Sequence, residues 1–600
     1  MDLARALEVA KEAARAAGAR IREEFHRPGG PRGSDGKAPV DRVAEVAIRE
    51  RLLQAFPEAG YLGEETGAIA KASAFRWVVD PNDGTRSYLR GRRGSAVSIA
   101  LLHDELPVLG VVYAPLAPDD EGDLVAWAEG LPLTRNDREV KRPPLPRSLG
   151  PEDIVLTSPD ADRNVAGNAA CSAPARFRAM PSIAYRLALL AVGEGEAAIS
   201  LNGPMAWELA AGHALLRAVG GELVNQAGEP VRYAATMCGR FFFGASLEVA
   251  RTLAMREWTR VFEPGEGANR ALARPVKGEA IADAALLRRA QGALLGQLAG
   301  DALGSMVEFR SAASIARAYP EGIRDLGPSA IWRTTSGQPT DDSELALALA
   351  RTLVARGFDR AAIRSAYRAW LDSGPFDVGE TTKSGLKGRP VGESQANGGL
   401  MRVSPLGIFG HAAQPSRLAS WAREECAITH PHRVCQDAST VFTVAVAHAI
   451  RTGEGPREVW AAARDFARRA QVEASILEAL EAAATEPPAD FLLHMGWVTI
   501  AFQNAFFRLL HAPSLEAGVI DTVMAGGDTD TNAAIAGALL GAVHGREAIP
   551  LQWKRTVLTA RAHDQSPHPR PPIYWPVDAL ELAERLLVAG RHGIARQTGP

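Results

Sequence analysis

Cysteine is scarce in this 600-residue chain. There are four, at positions 171, 238, 426 and 435, and none is spaced Cys-x-x-Cys, which argues against a disulfide framework or a zinc ribbon. A reduced, cytoplasmic setting is the expectation. Long apolar runs are missing as well. The most apolar stretch, residues 441–450, falls short of the ~18–20 residues of a membrane span and reads as a core helix. The first 25 residues mix acids and bases and lack a signal peptide's apolar core. Within them Leu3, Leu7, Ala10, Ala14 and Ile21 recur at helical spacing and predict a helix with one buried stripe. Neither sign of charge dominates: 67 Lys and Arg face 70 Asp and Glu, a net charge of −3. Without a basic surplus, coating nucleic acid is not the expected role. No fixed-period repeat is present.

What the chain does have is globular composition, 46% apolar and 23% charged. It is also longer than one domain, at roughly 100–250 residues each. Residues 1–262 alternate short β-rich runs (Val78-Val79, 97–102, 108–113) with helical segments such as 41–56 and 182–193, which predicts a layered α/β fold. Residues 263–284 hold Pro, Gly and charges without apolar period and read as a linker. From 285 to 600 almost every segment reads as helix, with Ala and Leu at three- and four-residue spacing.

Three acidic clusters mark the first part: Gly63-Glu64-Glu65-Thr66, Asp80-Pro81-Asn82-Asp83-Gly84-Thr85 and Trp207-Glu208-Leu209-Ala210-Ala211-Gly212. The second follows Trp77-Val78-Val79, where a strand would end in a turn. Such a turn aims carboxylates and a carbonyl at one point, the hard oxygen set that Mg²⁺ takes. Each cluster alone is also an ordinary turn or surface pair. Together and in this order they resemble the lithium-sensitive phosphatases of the inositol monophosphatase superfamily, with a cadence similar to the 3′(2′),5′-bisphosphate nucleotidase branch. The resemblance implies an αβαβα fold over 1–262. It implies metal ligands at Glu64, Asp80, Asp83, the Asn82 carbonyl and Glu208, and two or three Mg²⁺ ions. Asp41, Thr85 and Glu65 would be catalytic, Thr85 with Asp41 activating water. Asp83, Gly84, Thr85 and Arg86 would meet the substrate. Two positions depart from the family: Glu208 stands where it has aspartate, and Ala38 where it often has threonine.

In the second part Gly292, Gly296, Gly300 and Gly304 lie four apart, on one helical face, and a similar face recurs at Gly537, Gly541 and Gly545. Both predict tightly packed helices in the middle of the domain. Thr340-Asp341-Asp342-Ser343 and Gly526-Gly527-Asp528-Thr529-Asp530-Thr531 open predicted helices. Capping explains part of this, but paired carboxylates exceed what capping needs and favour a bound cation. GDALGSMVE, TDDS, NGGLMRVSPLG, Thr429-His430 and GGDTDT, in that order, resemble the ADP-ribosylglycohydrolases. That resemblance implies an all-α bundle over 285–600 with two metal ions, Mg²⁺ or Mn²⁺, on Thr340, Asp341, Asp342, Asp528, Asp530 and Thr531. Glu308 and Asp377 would be catalytic at the ribose, and Asn397, Gly398, Gly399 and His430 would bind substrate.

The two resemblances together imply a bifunctional metal-dependent hydrolase. One part would cleave a phosphomonoester of an adenine nucleotide such as adenosine 3′,5′-bisphosphate. The other would remove ADP-ribose from a protein or nucleic-acid acceptor. Two alternatives stay open for the first part: a nucleotide-binding domain without catalysis, and an inositol or sugar phosphatase. No membrane partner is expected, and the oligomeric state is open.

Overall fold

The computed structural model describes residues 1–234, 239–265 and 267–595; Cys238 lies outside them. The chain divides into two compact units, Met1–Arg270 with Pro275–Ala282, and Ala271–Arg274 with Asp283–Pro600. Residues 263–283 carry one short 3-10 turn, Ala268–Arg270, among the described residues.

The first unit contains two sheets. The larger runs through β1 (Gly60–Gly63), β2 (Gly67–Ile69), β3 (Phe75–Asp83), β4 (Ala96–His103), β5 (Leu106–Ala114), β6 (Asp123–Ala128), β7 (Thr134–Arg135) and β8 (Arg138–Glu139). Its spatial order is β2-β1-β3-β4-β5-β6-β7-β8, antiparallel except where β1 lies parallel to β3. The smaller contains β9 (Ile154–Thr157), β10 (Arg176–Ala179), β11 (Ala197–Ser200), β12 (Glu222–Asn225) and β13 (Phe242–Ala245), in the order β10-β9-β11-β13-β12. Because side chains alternate along a strand, the two faces of β3 enter different cores. Trp77 and Val79 pack with the helices Leu3–Phe25 and Pro39–Ala55. Val78 packs with Ile183–Ala191 and Ala206–Arg217, which also meet one face of the smaller sheet. The other face of that sheet, through Val155, Ile199 and Phe243, meets Leu247–Ala254. Helix, sheet, helix, sheet and helix follow one another, the αβαβα layering implied by the sequence.

The strand β3 does not stop at Val79. It continues through the acidic motif to Asp83, with a register shift between Asp80 and Asp83. Pro81 has no N–H to give the ladder, so pairing skips and resumes at Asp83 opposite Ala96. The bulge leaves Asp83 near enough for its charge to act on Asp80.

The second unit is helical. Its centre is the pair Ala284–Gly304 and Thr529–His544. A methyl added to Gly292, Gly296, Gly300 or Gly304 would lie 2.1–2.3 Å from the carbonyl oxygens of Gly541, Gly537, Ala533 and Thr529. The two glycine faces are therefore one seam, with backbone against backbone. The apolar stretch 441–450 lies in the buried helix Arg433–Thr452, as expected. Among the described residues, no helix is long and apolar enough to cross a membrane.

Candidate active sites

In the first unit the end of β3 meets the start of three helices. Asp41 lies in the first turn of Pro39–Ala55, a helix that Ala38 opens without a side-chain cap. Its carboxylate is buried. It accepts from Asn82 Nδ2 at 3.0 Å and from Thr85 Oγ1 at 2.9 Å. The same hydroxyl lies 2.9 Å from the Asn82 carbonyl. Burial pushes Asp41 up to about 7, against the pull of those two hydrogen bonds. Asp80 is buried and accepts from the Asn82 N–H at 2.8 Å. Burial, and then the charges of Glu64, Asp83 and Glu208, hold it well above the usual carboxylate range.

Asp83 Oδ2 accepts from Ser182 Oγ at 2.6 Å and from the Ala184 N–H at 2.8 Å. These groups begin the helix Ile183–Ala191, so its N-terminus fixes Asp83. Gly84, at φ 94°, adopts the left-handed region that turns the chain after the motif. Arg86 is exposed beyond it. Glu208 begins Ala206–Arg217, and its Oε2 reaches back to the Met205 N–H at 2.5 Å. The extra methylene of glutamate thus makes half of a capping box. Burial and Asp83 push Glu208 up to about 8.

Sequence reasoning missed Glu45, which is fully buried. Its carboxylate accepts from the N–H groups of Glu65 (2.7 Å) and Thr66 (2.8 Å), and from Thr66 Oγ1 (2.5 Å). It pins the Glu64-Glu65 turn, with Glu64 itself exposed. Ser182 was missed too, because nothing near it in sequence marks it as Asp83's partner.

In the second unit two helix starts converge. Thr340 caps Asp341–Arg356, and the GGDTDT loop opens Thr529–His544. That loop is tied to the Glu308 segment: the Phe309 N–H donates to the Gly527 carbonyl at 2.8 Å, and Gly527 N–H to the Arg310 carbonyl at 2.9 Å. Carboxylate oxygens of Asp301, Asp342 and Asp530 all lie within 4.8 Å of one another. So do those of Glu308, Asp377 and Asp530, which makes Asp530 common to both trios. Sequence reasoning missed Asp301, which lies on the glycine-bearing helix Ala284–Gly304. It is fully buried and accepts from Thr340 Oγ1 at 2.8 Å.

Burial raises every one of these acids. Asp301 and Asp341 reach about 6. Glu308 reaches about 8, helped by Asp528, and Asp377 about 9, helped by Asp341 and Glu308. Asp342 and Asp530 stand well above the ordinary range, and Asp528 is raised too. Asp342 Oδ1 is buried without a hydrogen-bond partner. Oxygens of like charge held this close, one of them unsatisfied, fit a divalent cation.

Around the trios, Trp332 Nε1 donates to Glu308 at 2.5 Å and the Gly379 N–H to Asp341 at 3.2 Å. Asn397 Nδ2 donates to Asp528 at 2.7 Å. Thr531, at the same helix start, is buried, and its N–H donates to Asp530 at 2.9 Å. Gly398 faces His430 and Thr382, and Gly399 faces Cys426, too closely for a side chain. His430 is fully buried, with Nδ1 2.8 Å from Thr429 Oγ1 and Nε2 unpartnered. Burial and the nearby Arg402 push it down to about 3, so it is neutral. Behind the site, Arg570 donates twice to Glu344, each bond 2.7 Å, in the first turn of the Asp341–Arg356 helix.

These are two centres of hydrolytic type, each built from carboxylates at helix and strand ends. The sequence profile of the ADP-ribosylglycohydrolase family matches residues 282–592, and that of the inositol monophosphatase family matches residues 2–256. The ADP-ribosyl-[dinitrogen reductase] glycohydrolase of Rhodospirillum rubrum is 34% identical over 288 residues, 44% of this chain and 88% of that protein. The inositol-1-monophosphatase of Rhizobium meliloti is 33% identical over 215 residues, 34% of this chain and 79% of that protein. The fructose-1,6-bisphosphatase/inositol-1-monophosphatase of Aquifex aeolicus is 36% identical over 146 residues, 23% of this chain and 53% of that protein. The chain belongs to the ADP-ribosylglycohydrolase family through its second unit and to the inositol monophosphatase family through its first. Both are families of hydrolases, and the chain is an enzyme.

Proposed function

We propose that the chain is a bifunctional metal-dependent hydrolase of the cytoplasm, acting on ADP-ribosyl glycosidic bonds in its second unit and on a phosphomonoester in its first. The observation that carries this reading is Asp530, shared by two carboxylate trios. In the second unit Thr340, Asp341, Asp342, Asp528, Asp530 and Thr531 would hold two ions, with Asp301 added to the set. In the first, Glu64, Asp80, Asp83 and the Asn82 carbonyl supply ligands, with the Glu208 carboxylate close enough for its charge to act on Asp80. Bound Mg²⁺ or Mn²⁺ supplies Lewis acidity toward phosphate or ribose oxygens and toward water.

The residues supply the rest. An ionised Asp41 accepts the Thr85 hydroxyl proton in a hydrogen bond, leaving Thr85 lone pairs free to accept from water. Glu65 stands beside this pair on the turn that Glu45 pins. Asp83, Gly84 and Thr85 line the phosphate, with Arg86 at the rim. In the second unit Glu308, held by Trp332, stabilises positive charge developing at the ribose carbon. Asp377 contacts ribose or water. Asn397, with the close-packed Gly398 and Gly399, borders the path of the diphosphate, and neutral His430 offers Nε2.

A cavity of about 500 Å³ adjoins this centre, lined by Gln395, Leu492, His494 and Trp497 among others. His494 stacks on Trp497, ring centroids 4.3 Å apart, and Trp497 is exposed. This platform suits the adenine of ADP-ribose. ADP-ribosylated protein or nucleic acid would be the substrate. Sharing a chain with this activity favours an adenine nucleotide, such as adenosine 3′,5′-bisphosphate or a phosphorylated ADP-ribose, for the phosphatase. The names of the first unit's relatives favour a second reading, an inositol or sugar phosphate. A panel of phosphate esters and ADP-ribosylated proteins, assayed with Asp83→Asn and Asp530→Asn chains, tests both. Absence of Mg²⁺-dependent ADP-ribose release from every acceptor would overturn the glycohydrolase reading.

A further inference from the structure

The helix Ile183–Ala191 carries an arginine that none of the roles above uses. Arg186 is 4% exposed. Its Nε donates to the Ser182 carbonyl at 3.2 Å and its Nη1 to the Ile199 carbonyl. Both acceptors are neutral. The opposing charges that act on it are those of Asp83 and Glu208, neither in direct hydrogen-bonded contact with it among the described residues. A guanidinium removed from water without a paired anion is costly, so this one is suited to an anion that arrives from outside.

The two carboxylates are themselves partly engaged. One oxygen of Asp83 is taken by Ser182 Oγ and the Ala184 N–H. One oxygen of Glu208 is turned back to the Met205 N–H. The residue that Arg186 grips, Ser182, is the one that grips Asp83. A fixed cation therefore stands on the side of the centre where two half-occupied carboxylates would otherwise recruit an ion.

We propose that Arg186 takes the electrostatic place of the ion that Asp83 and Glu208 would share, and that it binds the substrate phosphate directly. The first unit then loads one divalent ion fewer than its carboxylates could hold, on the Glu64–Asp80 side, and Glu208 serves as a helix cap. Planar guanidinium donors match phosphate oxygens. A covalently attached cation does not dissociate, so phosphate binding becomes less dependent on Mg²⁺ concentration.

The inference rests on the phosphatase reading, and ion counting separates the two. Mn²⁺ bound at equilibrium is counted by electron paramagnetic resonance on the full chain carrying Asp342→Asn and Asp530→Asn, which removes the second unit's ions. Adding Glu208→Ala should leave the count unchanged; loss of one ion would overturn the proposal. Adding Arg186→Gln should raise the count by one and weaken binding of inorganic phosphate at least tenfold. An unchanged count with phosphate affinity retained would also overturn it. Arg186→Lys keeps the charge and should keep the original count, which guards against a folding defect in the glutamine variant. Expected counts without turnover of any phosphate ester would sink the phosphatase reading alone. Turnover together with an ion lost in Glu208→Ala would sink this inference alone.

Discussion

Asp530 is the residue on which the second centre turns, because both carboxylate trios need it. Asp530→Asn should lower ADP-ribosyl hydrolysis by about a hundredfold or more and weaken Mn²⁺ binding, in the range that misplaced catalytic groups produce. Asp377→Asn touches one trio only and should cost less. The proton inventory gives a second check. With Glu308 at about 8 and Asp377 at about 9, the metal-free centre holds protons at pH 7 that a cation must displace. Calorimetric Mg²⁺ titrations at pH 7, in two buffers of different ionisation enthalpy, should show about one proton or more released; buffer-independent heats would contradict this. The same residues show what sequence can reveal. Asp342 and Asp530 are legible because a pair of carboxylates at a helix start exceeds what capping requires. Asp301 hides inside a small-residue helix face, and only folding brings it to Thr340. Glu45 and Ser182 are invisible for the same reason: their partners Glu65 and Asp83 lie 20 and 99 residues away, and burial is what makes them matter.

At the scale of elements, the glycine spacing in Ala284–Gly304 and Thr529–His544 foretold close packing, and the seam confirms it. Gly296→Ala would set a methyl 2.2 Å from the Gly537 carbonyl oxygen. The helices would have to part, at a cost of about 1–3 kcal/mol or more, read by chemical denaturation of the full chain. Gly392, with no atom near its would-be methyl, provides the neutral control as Gly392→Ala. Loss of equal stability in both variants would refute the seam's role. Element boundaries were less legible than element types. β3 was expected to end at Val79, because Asp-Pro and Asp-Gly read as turn chemistry. It runs on to Asp83 because the strand tolerates one missing N–H as a bulge. Turn propensity and sheet pairing compete there, and the neighbouring strand β4 decides the outcome.

At the scale of the whole molecule, the second unit's acids set its response to pH. Their folded values of about 6 to about 9 lie above the ordinary values near about 4. The native metal-free unit therefore binds more protons than the unfolded chain between about pH 4 and about pH 9. The stability this contributes is full below that window and is lost as pH rises through it. Without divalent ions, the thermal midpoint of this unit should be lower at pH 8 than at pH 6, and saturating Mg²⁺ at pH 8 should recover it. A midpoint that rises with pH in EDTA would contradict the cluster's electrostatics. One feature of the same unit also governs how it is made. The Thr529 hydroxyl bonds the Gly304 carbonyl across 225 positions of sequence, and the seam on either side of it spans similar distances. A ribosome emits the first helix of this pair long before the second exists. Until then its glycine face has nothing to meet, and Asp301 waits for Asp530. Such late, non-local closure slows folding and lengthens the time that apolar surface is open to wrong partners. The ion centre is therefore assembled only once residue 530 has been made, and a chain cut short before residue 529 completes neither carboxylate trio.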